Sequence, residues 1–311
     1  MKYLVTGGCG FIGSHITERL AGEGHEVIVY DDLSSGYEHN IASIAGSVRL
    51  VRADVRDAGA LAEAAKGAVG VFHEAALVSV PDSVERPAEC HEINVTGTLN
   101  VLLAARDLGV RRVVLASSAA AYGNEPTLPK REDMRPEPES PYALAKVAGE
   151  YYARVFASLY GLETVSLRYF NVYGPRQDPS SMYSGVISKF NDVLTAGGRP
   201  TVFGDGGQTR DFVFVRDVVE ANLLAMRSEK AGRGEVFNVA TGARTNLLDL
   251  LTALKAIHGS DVEPELASER AGDIRHSLAD IARASGVLGY APAFTLDEGL
   301  GELVASTRAG T

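Results

Sequence analysis

The first half of the chain alternates short apolar runs with longer amphipathic segments. In the first amphipathic segment Ile12, Ile16 and Leu20 recur every four residues, a spacing that places side chains on one helical face. Short runs rich in Val, Leu and Ile are typical of buried strands. The predicted strands are residues 2–6, 26–30, 48–52, 69–73, 110–117 and 162–169. Strand, helix and strand in alternation predict an α/β fold with a doubly wound parallel sheet and helices on both faces.

The pattern becomes mixed beyond about residue 171. Loops rich in Gly, Pro and Ser at 174–185 and 197–208 indicate a second, smaller lobe with its own short elements. We therefore expect two domains, residues 1–171 and residues 172–311, with the binding cleft between them. Predicted strands at 211–215 and 236–239 are expected to return to the main sheet, so the boundary is not a single cut.

Composition narrows the class of protein. A 45% hydrophobic and 23% charged content is ordinary for a globular chain of 311 residues. Thirty basic against forty acidic residues leave a net charge of −10, which argues against a nucleic-acid partner. Cys9 and Cys90 are too few for a disulfide framework or a thiolate metal site, and the seven histidines show no ligand spacing. With no apolar run near about 20 residues and no secretion signal, we expect a cytoplasmic protein without a membrane partner or a metal.

A glycine-rich run joins the first predicted strand to the first helix. Gly7, Gly10 and Gly13 have the spacing GxxGxxG, and missing Cβ atoms let the backbone approach a pyrophosphate at a helix N-terminus. An ordinary glycine-rich turn is the alternative. Asp31 and Asp32 end the second strand, where an acid accepts hydrogen bonds from a ribose and repels a 2′-phosphate. The context therefore predicts NAD rather than NADP as cofactor.

Residues after the third and fourth strands extend this site. Asp54 and Val55 follow the third strand, where adenine is expected, and Ala75 and Ala76 follow the fourth. Their small side chains leave room beside a cofactor.

A serine, a tyrosine and a lysine form a second constellation. Tyr142 and Lys146 are four residues apart and share a helical face, while Ser117 and Ser118 end the fifth strand. A tyrosine acting as a base near neutrality needs its pKa lowered by about 3 units from about 10, which an ammonium group and the positive charge of NAD⁺ can supply together. A serine hydroxyl can relay the proton. The alternative is a surface pair on an amphipathic helix.

These motifs resemble those of the extended short-chain dehydrogenase/reductases, and among them the UDP-hexose 4-epimerases that act on UDP-glucose or UDP-N-acetylglucosamine. The similarity runs through essentially the whole chain. It is carried by TGGCGFIGSH at 6–15, YDDLSSG at 30–36, NVTGT at 94–98, SSAAAYG at 117–123, YALAK at 142–146, RYFNVYGPRQ at 168–177, VFGDGGQTRDFVFVRD at 202–217 and RAGDIRHS at 270–277.

The resemblance implies a Rossmann-type NAD-binding domain and a role for each matching residue. Tyr142 is then the catalytic base, Lys146 tunes it and holds the nicotinamide ribose, and Ser118, four residues before Tyr122, is the hydroxyl partner. Cofactor contacts are expected from Gly7, Gly10, Phe11, Ile12, Gly13, Asp31, Asp32, Ser34, Ser35, Gly36, Asp54, Val55, Ala75, Ala76, Asn94, Ser117, Tyr142, Lys146 and Tyr169.

The same resemblance places a UDP-sugar substrate in the second lobe. Arg210 and Arg270 are expected on the diphosphate, because guanidinium groups bind its oxygens in a fork geometry; a solvated loop arginine is the alternative for each. Asp273 is expected on the uridine ribose. Substrate contacts are expected from Val78, Ser118, Tyr142, Asn171, Gln177, Gly185, Val186, Phe203, Arg210, Arg270, Asp273 and Ser277.

Small residues in the expected sugar pocket favour an acetylated substrate. Ser277 and Gly185 leave room for an N-acetyl group, and Gln177 and Asn171 can hydrogen-bond to it; Val78 departs from the glycine of some N-acetyl-preferring relatives. We expect UDP-GlcNAc and UDP-GalNAc to be accepted, and UDP-Glc and UDP-Gal as a second pair.

Three other functions stay open at this point. A 4,6-dehydratase or a decarboxylase would resemble this chain but carry acids where Ala119 and Ala120 stand. A net reductase would need exchangeable NADPH, which Asp31 disfavours. A non-catalytic NAD-binding sensor or scaffold would have no use for an intact Ser118, Tyr142 and Lys146. By resemblance, a homodimer is expected through helices at about 89–107 and 142–159.

Overall fold

A computed structural model describes residues 1–178, 185–269 and 275–309. Short strands and helices alternate along most of these ranges. The strands are β1 (Lys2–Thr6), β2 (Glu26–Asp31), β3 (Val48–Arg52), β4 (Gly70–His73), β5 (Arg112–Ser118), β6 (Glu163–Tyr169), β7 (Asn171–Tyr173), β8 (Thr201–Phe203), β9 (Thr209–Arg210), β10 (Phe212–Phe214), β11 (Arg233–Val239), β12 (Thr245–Asn246) and β13 (Glu265–Ala267).

The helices carry most of the remaining chain. Short 3₁₀ segments cover Glu38–Ile44 and Ala119–Tyr122, and a π-helical turn, Glu92–Thr96, joins two α-helices into one continuous rod. The α-helices are α1 (Phe11–Gly22), α2 (Ala58–Ala65), α3 (Val80–Glu85), α4 (Pro87–His91), α5 (Gly97–Asp107), α6 (Pro141–Tyr160), α7 (Val186–Thr195), α8 (Val215–Arg227), α9 (Leu247–His258), α10 (Ala282–Leu288) and α11 (Leu296–Ala309).

A seven-stranded parallel sheet forms the centre, in the order β11-β6-β5-β4-β1-β2-β3. Its inner strands are apolar on both faces because helices cover both. Ile16 of α1 and Leu223 of α8 pack on one side, and Leu61, Leu102 and Phe156 of α2, α5 and α6 pack on the other. The prediction of a doubly wound parallel sheet is confirmed. The six strands expected in the first half lie within one or two residues of their predicted bounds.

The returning segment differs from expectation in one strand. β11 lies beside β6 in the main sheet, but β10 pairs with β7 in a separate two-stranded sheet. The prediction that residues 211–215 rejoin the main sheet is therefore wrong. The reason is steric: β11 already occupies the edge of β6, so β10 can pair only with β7, the continuation of the chain beyond Phe170.

The remaining elements form a smaller lobe around a third apolar cluster. β8 pairs with β13 and β9 with β12, and α7, α9 and α11 enclose a core that includes Phe190, Leu250 and Leu300. Within the described ranges, no helix has the length and apolar character that a membrane span requires.

Candidate active site

The loop between β1 and α1, together with the first turn of α1, is packed so tightly that only glycine fits at two positions. Gly7 has a φ of +67°, and a Cβ there would lie 2.6 Å from the backbone nitrogen of Ala75. A Cβ on Gly13 would lie 2.1 Å from the carbonyl oxygen of Gly7. The backbone nitrogen of Gly10 donates to that same oxygen at 3.0 Å, just before α1 begins. Because the first N–H groups of a helix lack partners within it, this loop offers donors to an anion.

Two acids at the end of β2 lie in different environments. Asp31 is buried, and its two oxygens accept hydrogen bonds from the backbone nitrogens of Cys9 and Leu33, each at 2.8 Å. Burial raises the pKa of Asp31. Asp32 is exposed, and its Oδ1 accepts bonds from the backbone nitrogen and hydroxyl of Ser34. Asp31 is thus fixed against the glycine loop, and since carboxylate oxygens accept more than one bond, a ribose hydroxyl can share it.

Other predicted cofactor contacts gather at the same edge of the sheet, where parallel strands end together. A Cβ on Gly36 would lie 2.8 Å from the carbonyl carbon of Cys9. Asp54 accepts hydrogen bonds from the guanidinium of Arg56, which lowers the pKa of Asp54, and Val55 is buried beside it. Also in the loops and first turn after β1, β2 and β4 are Phe11, Ile12, Ser35, Ala75 and Ala76.

Ser118, Tyr142 and Lys146 meet where β5 ends. Ser140 caps α6 by accepting a hydrogen bond from the third residue of the helix, which places Tyr142 and Lys146 on successive turns. The Lys146 ammonium donates to the carbonyl oxygen of Ala116 in β5 at 2.8 Å and lies 5.8 Å from the centre of the Tyr142 ring. The Ser118 side chain lies close enough to Tyr142 to lower the pKa of its phenol. Anchoring of α6 to β5 therefore fixes the three side chains together.

The surroundings of Tyr142 in the protein disfavour deprotonation of its phenol. Burial raises the pKa of Tyr142, while the nearby Ser118 side chain lowers it. Burial also lowers the pKa of Lys146. Since the protein alone raises the pKa of the phenol, a base at this position needs an added positive charge, which an oxidised nicotinamide carries.

Ser117 turns away from this group. Successive residues of a strand face opposite sides, and the Ser117 hydroxyl donates to Oε1 of Glu150 at 2.5 Å inside the core. Glu150 in turn accepts two hydrogen bonds from Arg168, and the Arg168 guanidinium lies 4.6 Å from the centre of the Tyr122 ring. Ser117 thus belongs to a buried polar network behind Ser118.

Two further predicted cofactor contacts, Asn94 and Tyr169, form hydrogen bonds within the protein. Asn94 binds backbone groups, and Tyr169 binds the carboxyl of Glu74. Asn94 bonds through its side chain to both the nitrogen and the carbonyl oxygen of Leu77, at 2.7 and 2.9 Å. The hydroxyl of Tyr169 donates to Oε1 of Glu74 and accepts from the Asn222 amide, each at 2.8 Å.

One set of predicted substrate contacts surrounds the start of α7. Asn171 lies in β7. Gln177 accepts a hydrogen bond from Ser188 at 2.5 Å, and a Cβ on Gly185 would lie 3.5 Å from the Gln177 amide nitrogen. Val186 begins the helix directly after Gly185. Gln177, Gly185 and Val186 thus lie close to one another, and the Gln177 amide donates to the carbonyl oxygen of Val172, the residue after Asn171.

A second set lies around β9. Phe203 ends β8 and Arg210 ends β9. The backbone nitrogen of Ser277 donates to the carbonyl oxygen of Thr209 at 3.0 Å, so Ser277 runs beside Arg210. Val78 is exposed between β4 and α3. Two predicted residues, Arg270 and Asp273, lie outside the described residues.

Sequence reasoning left three buried or partly buried charged residues out of the site: Glu74, Glu150 and Arg168. Each sits next to a residue or motif that was singled out, but the sequence does not say which partner each side chain meets. In the part of the chain that the structure describes, His, Cys, Asp and Glu side chains form no group of three or more that could hold a metal ion.

Comparison with known proteins places this geometry in a family. Residues 3–240 match the model of the NAD dependent epimerase/dehydratase family. The chain belongs to that family. The residues fit its cofactor, because glycine lets the tight loop end directly at the N-terminus of α1, where backbone N–H groups can bind a pyrophosphate, and Asp31 lies beside it. The predicted family and the predicted cofactor, NAD, are confirmed.

Individual relatives in the family cover the whole chain. A UDP-glucose 4-epimerase of Mycolicibacterium smegmatis is 45% identical over 310 residues, covering 98% of this chain and 97% of its own. A UDP-N-acetylglucosamine 4-epimerase of Methanobrevibacter ruminantium M1, in complex with UDP-N-acetylmuramic acid, matches with a TM-score of 0.95 at 37% identity, covering 100% of this chain and 99% of its own.

A third relative was solved with the cofactor. The UDP-glucose 4-epimerase of Thermus thermophilus, in complex with NAD, matches with a TM-score of 0.89 at 38% identity and covers both chains completely. Together these relatives confirm the predicted class of enzyme, an NAD-dependent UDP-sugar 4-epimerase.

Proposed function

We propose that this member of the NAD dependent epimerase/dehydratase family interconverts UDP-hexoses at C4 with Tyr142 as the catalytic base. The observation that carries the proposal is the meeting of Ser118, Tyr142 and Lys146 at the end of β5, on the sheet edge that also carries the glycine loop. Asp31, fixed beside that loop, supports NAD retention.

The chain's own residues handle the proton. Bound NAD supplies the hydride acceptor and later the hydride donor. Tyr142 would take the C4 hydroxyl proton while the C4 hydride passes to the acceptor that bound NAD would supply, and the two losses together give a 4-keto sugar. Tyr142 would return the proton, and the hydride would return to C4, after the sugar has presented its opposite face. Lys146 stabilises the phenolate and holds the nicotinamide ribose, and Ser118 hydrogen-bonds to the reacting oxygen. Because the two half-reactions cancel, no net oxidant is consumed.

The smaller lobe would hold the nucleotide while the sugar turns. Arg210 and Arg270 are assigned to the diphosphate, Asn171, Val186 and Phe203 to the diphosphate and uracil, and Asp273 to the uridine ribose. Support for the assignment comes from the positions of Phe203 and Arg210 at the ends of β8 and β9. This assignment of the nucleotide contacts implies that the chain is divided into an NAD-binding domain, 1–171, and a substrate lobe, 172–311.

The acetylated pair, UDP-GlcNAc and UDP-GalNAc, is the proposed substrate, with UDP-Glc and UDP-Gal as a second pair. Gly185 and Ser277 are small, and Gln177 packs beside Gly185, which leaves space and a hydrogen-bonding group for an acetamido substituent. The structural relative from Methanobrevibacter ruminantium, named a UDP-N-acetylglucosamine 4-epimerase, supports this choice.

A homodimer through α6 and the rod formed by α4, the π-helical turn and α5 is also proposed. The active-site face of α6 carries Tyr142 and Lys146, whereas Leu144, Tyr151 and Leu159 on another face are 60%, 55% and 70% exposed. Exposure of a row of apolar side chains to water is unfavourable, and association with a second copy of the chain would bury them. Sedimentation at micromolar concentration should show a dimer, and Leu159→Glu should yield a monomer; a wild-type monomer would contradict the proposal.

A reducing, cytoplasmic location is proposed as well. Cys9 and Cys90 are both free and buried, which suits a compartment where thiols stay reduced.

The function is tested by incubating the purified chain with each of the four UDP-hexoses and no added NAD. Chromatography of the products should show the C4 epimer of at least the acetylated sugars. A 4-keto-6-deoxy product or loss of CO₂ would instead identify a dehydratase or a decarboxylase. If a protein sample that contains bound NAD converts none of the sugars, the result would favour a non-catalytic NAD-binding sensor or scaffold.

A further inference from the structure

The Glu74 side chain forms a hydrogen bond across the end of β5, the strand that ends in Ser118. It follows β4, and its backbone nitrogen donates to the carbonyl oxygen of Thr6 at 3.1 Å. Its side chain accepts a hydrogen bond from Tyr169, the last residue of β6. Since β5 lies between β4 and β6, the Glu74–Tyr169 bond crosses the end of β5, next to Ser118.

The carboxyl is held in place from a third element. Tyr169 accepts a hydrogen bond from the Asn222 amide of α8 at 2.8 Å, and Asn222 is fully buried. This bond orients the Tyr169 hydroxyl so that its proton points to Glu74. Three elements, the β4 end, the β6 end and α8, therefore fix one carboxyl oxygen.

Lys146 is the cation that acts electrostatically on this carboxyl, without a direct ion pair between the two. Its ammonium is bonded to Ala116 of β5, the strand that the Glu74–Tyr169 bond crosses. The two groups interact electrostatically: burial raises the pKa of Glu74, which the Lys146 charge opposes, and burial lowers the pKa of Lys146, which the Glu74 charge opposes. The negative charge of Glu74 also raises the pKa of Tyr142.

The other titratable groups around Glu74 are accounted for. From α6 come Tyr142 and Lys146, from α4 the Cys90 thiol, whose charge would act on both, and from β6 Tyr169. Its chain neighbour His73 is buried, and burial lowers the pKa of His73 to about 3, so the imidazole is neutral near pH 7. Lys146 is thus the positive charge that Glu74 and Tyr142 share.

We propose that Glu74 is a positioning residue that acts through Lys146. Its carboxylate weakens the stabilising effect of the Lys146 ammonium on the Tyr142 phenolate and so sets the pH at which the phenol becomes a base. The proposal rests on the proposed role of Tyr142. When Glu74 is neutral, the whole ammonium charge stabilises the phenolate; when Glu74 is ionised, the phenolate competes with it.

Removal of the Glu74 charge should move the acidic limb of the pH profile to lower pH. Glu74→Gln keeps the length of the side chain and an oxygen that can accept from Tyr169. In the holoenzyme, the acidic limb of kcat/KM for the UDP-hexose that turns over fastest should shift down by about 0.5–1 pH unit, as expected for one charge at an effective protein dielectric constant. Glu74→Asp retains the charge, and its acidic limb should differ from that of the wild type by less than about half of that shift.

A direct titration of the phenol separates charge from structure. The near-ultraviolet absorbance of the phenolate, as the difference between the wild-type chain and Tyr142→Phe, gives the titration of Tyr142 without turnover. The same difference in the Glu74→Gln background should titrate at lower pH. If Glu74→Gln does not fold, Tyr169→Phe replaces it: loss of the donor to Glu74 raises the pKa of that carboxyl, and the Tyr142 titration should again move down.

Unchanged titration and an unchanged acidic limb in folded Glu74→Gln would overturn the proposal while leaving Tyr142 as the base. If Tyr142→Phe kept wild-type turnover, the proposed function of Tyr142 would fail instead, whatever Glu74 does.

Discussion

Arg168 and Glu150 form a two-pronged ion pair in the interior, with Nε and one terminal nitrogen of the guanidinium 2.8 and 2.7 Å from the two carboxylate oxygens. Their side chains are only 2% and 6% exposed. Glu150 lies two turns after Tyr142 and one turn after Lys146 on α6, and Arg168 directly precedes Tyr169. The pair therefore ties α6, the helix that carries Tyr142 and Lys146, to β6, the strand that ends in the Glu74 partner Tyr169.

Breaking this pair should destabilise the fold strongly. In Glu150→Gln the buried Arg168 charge loses its counterion, and the free energy of unfolding should fall by about 3–5 kcal/mol. Urea unfolding gives the measurement. The matched control is Glu302→Gln, which breaks the exposed pair with Arg216 and should cost no more than about 0.5 kcal/mol. Equal losses in the two variants would contradict the structural role.

An added methyl group in the glycine loop should remove NAD binding. In Gly13→Ala the new Cβ would lie 2.1 Å from the Gly7 carbonyl oxygen, so the loop must open, at a cost of about 1–3 kcal/mol. We expect about a 5- to 150-fold loss of NAD affinity, since this cost is borne by the binding conformation. Gly22→Ala is the control in the same helix, because a Cβ there meets nothing within 4 Å. NAD retained by Gly13→Ala would refute the assignment of the loop.

The buried His73 should make stability depend on pH. Its ring nitrogens lie 2.7 Å from the Thr6 hydroxyl and 2.9 Å from the Thr98 hydroxyl, and burial lowers its pKa to about 3. Because an unfolded histidine titrates near about 6.5, the unfolded chain binds the extra proton between these values. The contribution of His73 is therefore full above about pH 6.5 and is lost as the pH falls toward about 3.

The His73 prediction is measured with His73→Asn. The difference in unfolding free energy between wild type and variant should shrink by up to about 1.4 kcal/mol for each pH unit below about pH 6. A difference that stays constant across that window would show that the folded histidine is not held neutral.

The sugar pocket offers a test of substrate choice. Ser277 lies beside Arg210 and is partly buried, so Ser277→Tyr should fill the space proposed for the N-acetyl group. We expect at least about a tenfold loss of kcat/KM for UDP-GlcNAc, more than about 1.4 kcal/mol, with UDP-Glc turnover retained. Ser277→Thr should affect both sugars little. Equal losses for both sugars in Ser277→Tyr would place Ser277 away from the acetyl group.

Much of the catalytic half can be predicted from the sequence because its determinants are local. Apolar runs mark strands that are buried on both faces, and parallel strands bring their following residues to one edge, so the pattern indicates Gly7, Asp31 and the Ser117–Ser118 pair. The choice of Ser118 over Ser117 comes from the family resemblance. Tyr142 and Lys146 follow from helical spacing.

Pairings that depend on the order of strands could not be predicted in this way. Whether β10 pairs with β6 or β7 depends on β11 taking the edge of the sheet first. Glu74 reads as one more residue after a strand, and only the order β4-β5-β6 shows that it reaches Tyr169. Strand alternation turns Ser117 away from Ser118, but the pattern does not show that its buried partner is Glu150, which lies 33 residues away.

The proposed mechanism depends on the phenol of Tyr142 moving the proton of the C4 hydroxyl. This role is measured by the turnover of UDP-GlcNAc and UDP-Glc by Tyr142→Phe and by wild type at equal NAD content, followed by product chromatography. We expect kcat to fall by about 10²–10⁴-fold in the variant while NAD stays bound. Wild-type turnover by Tyr142→Phe with NAD in place would contradict the mechanism.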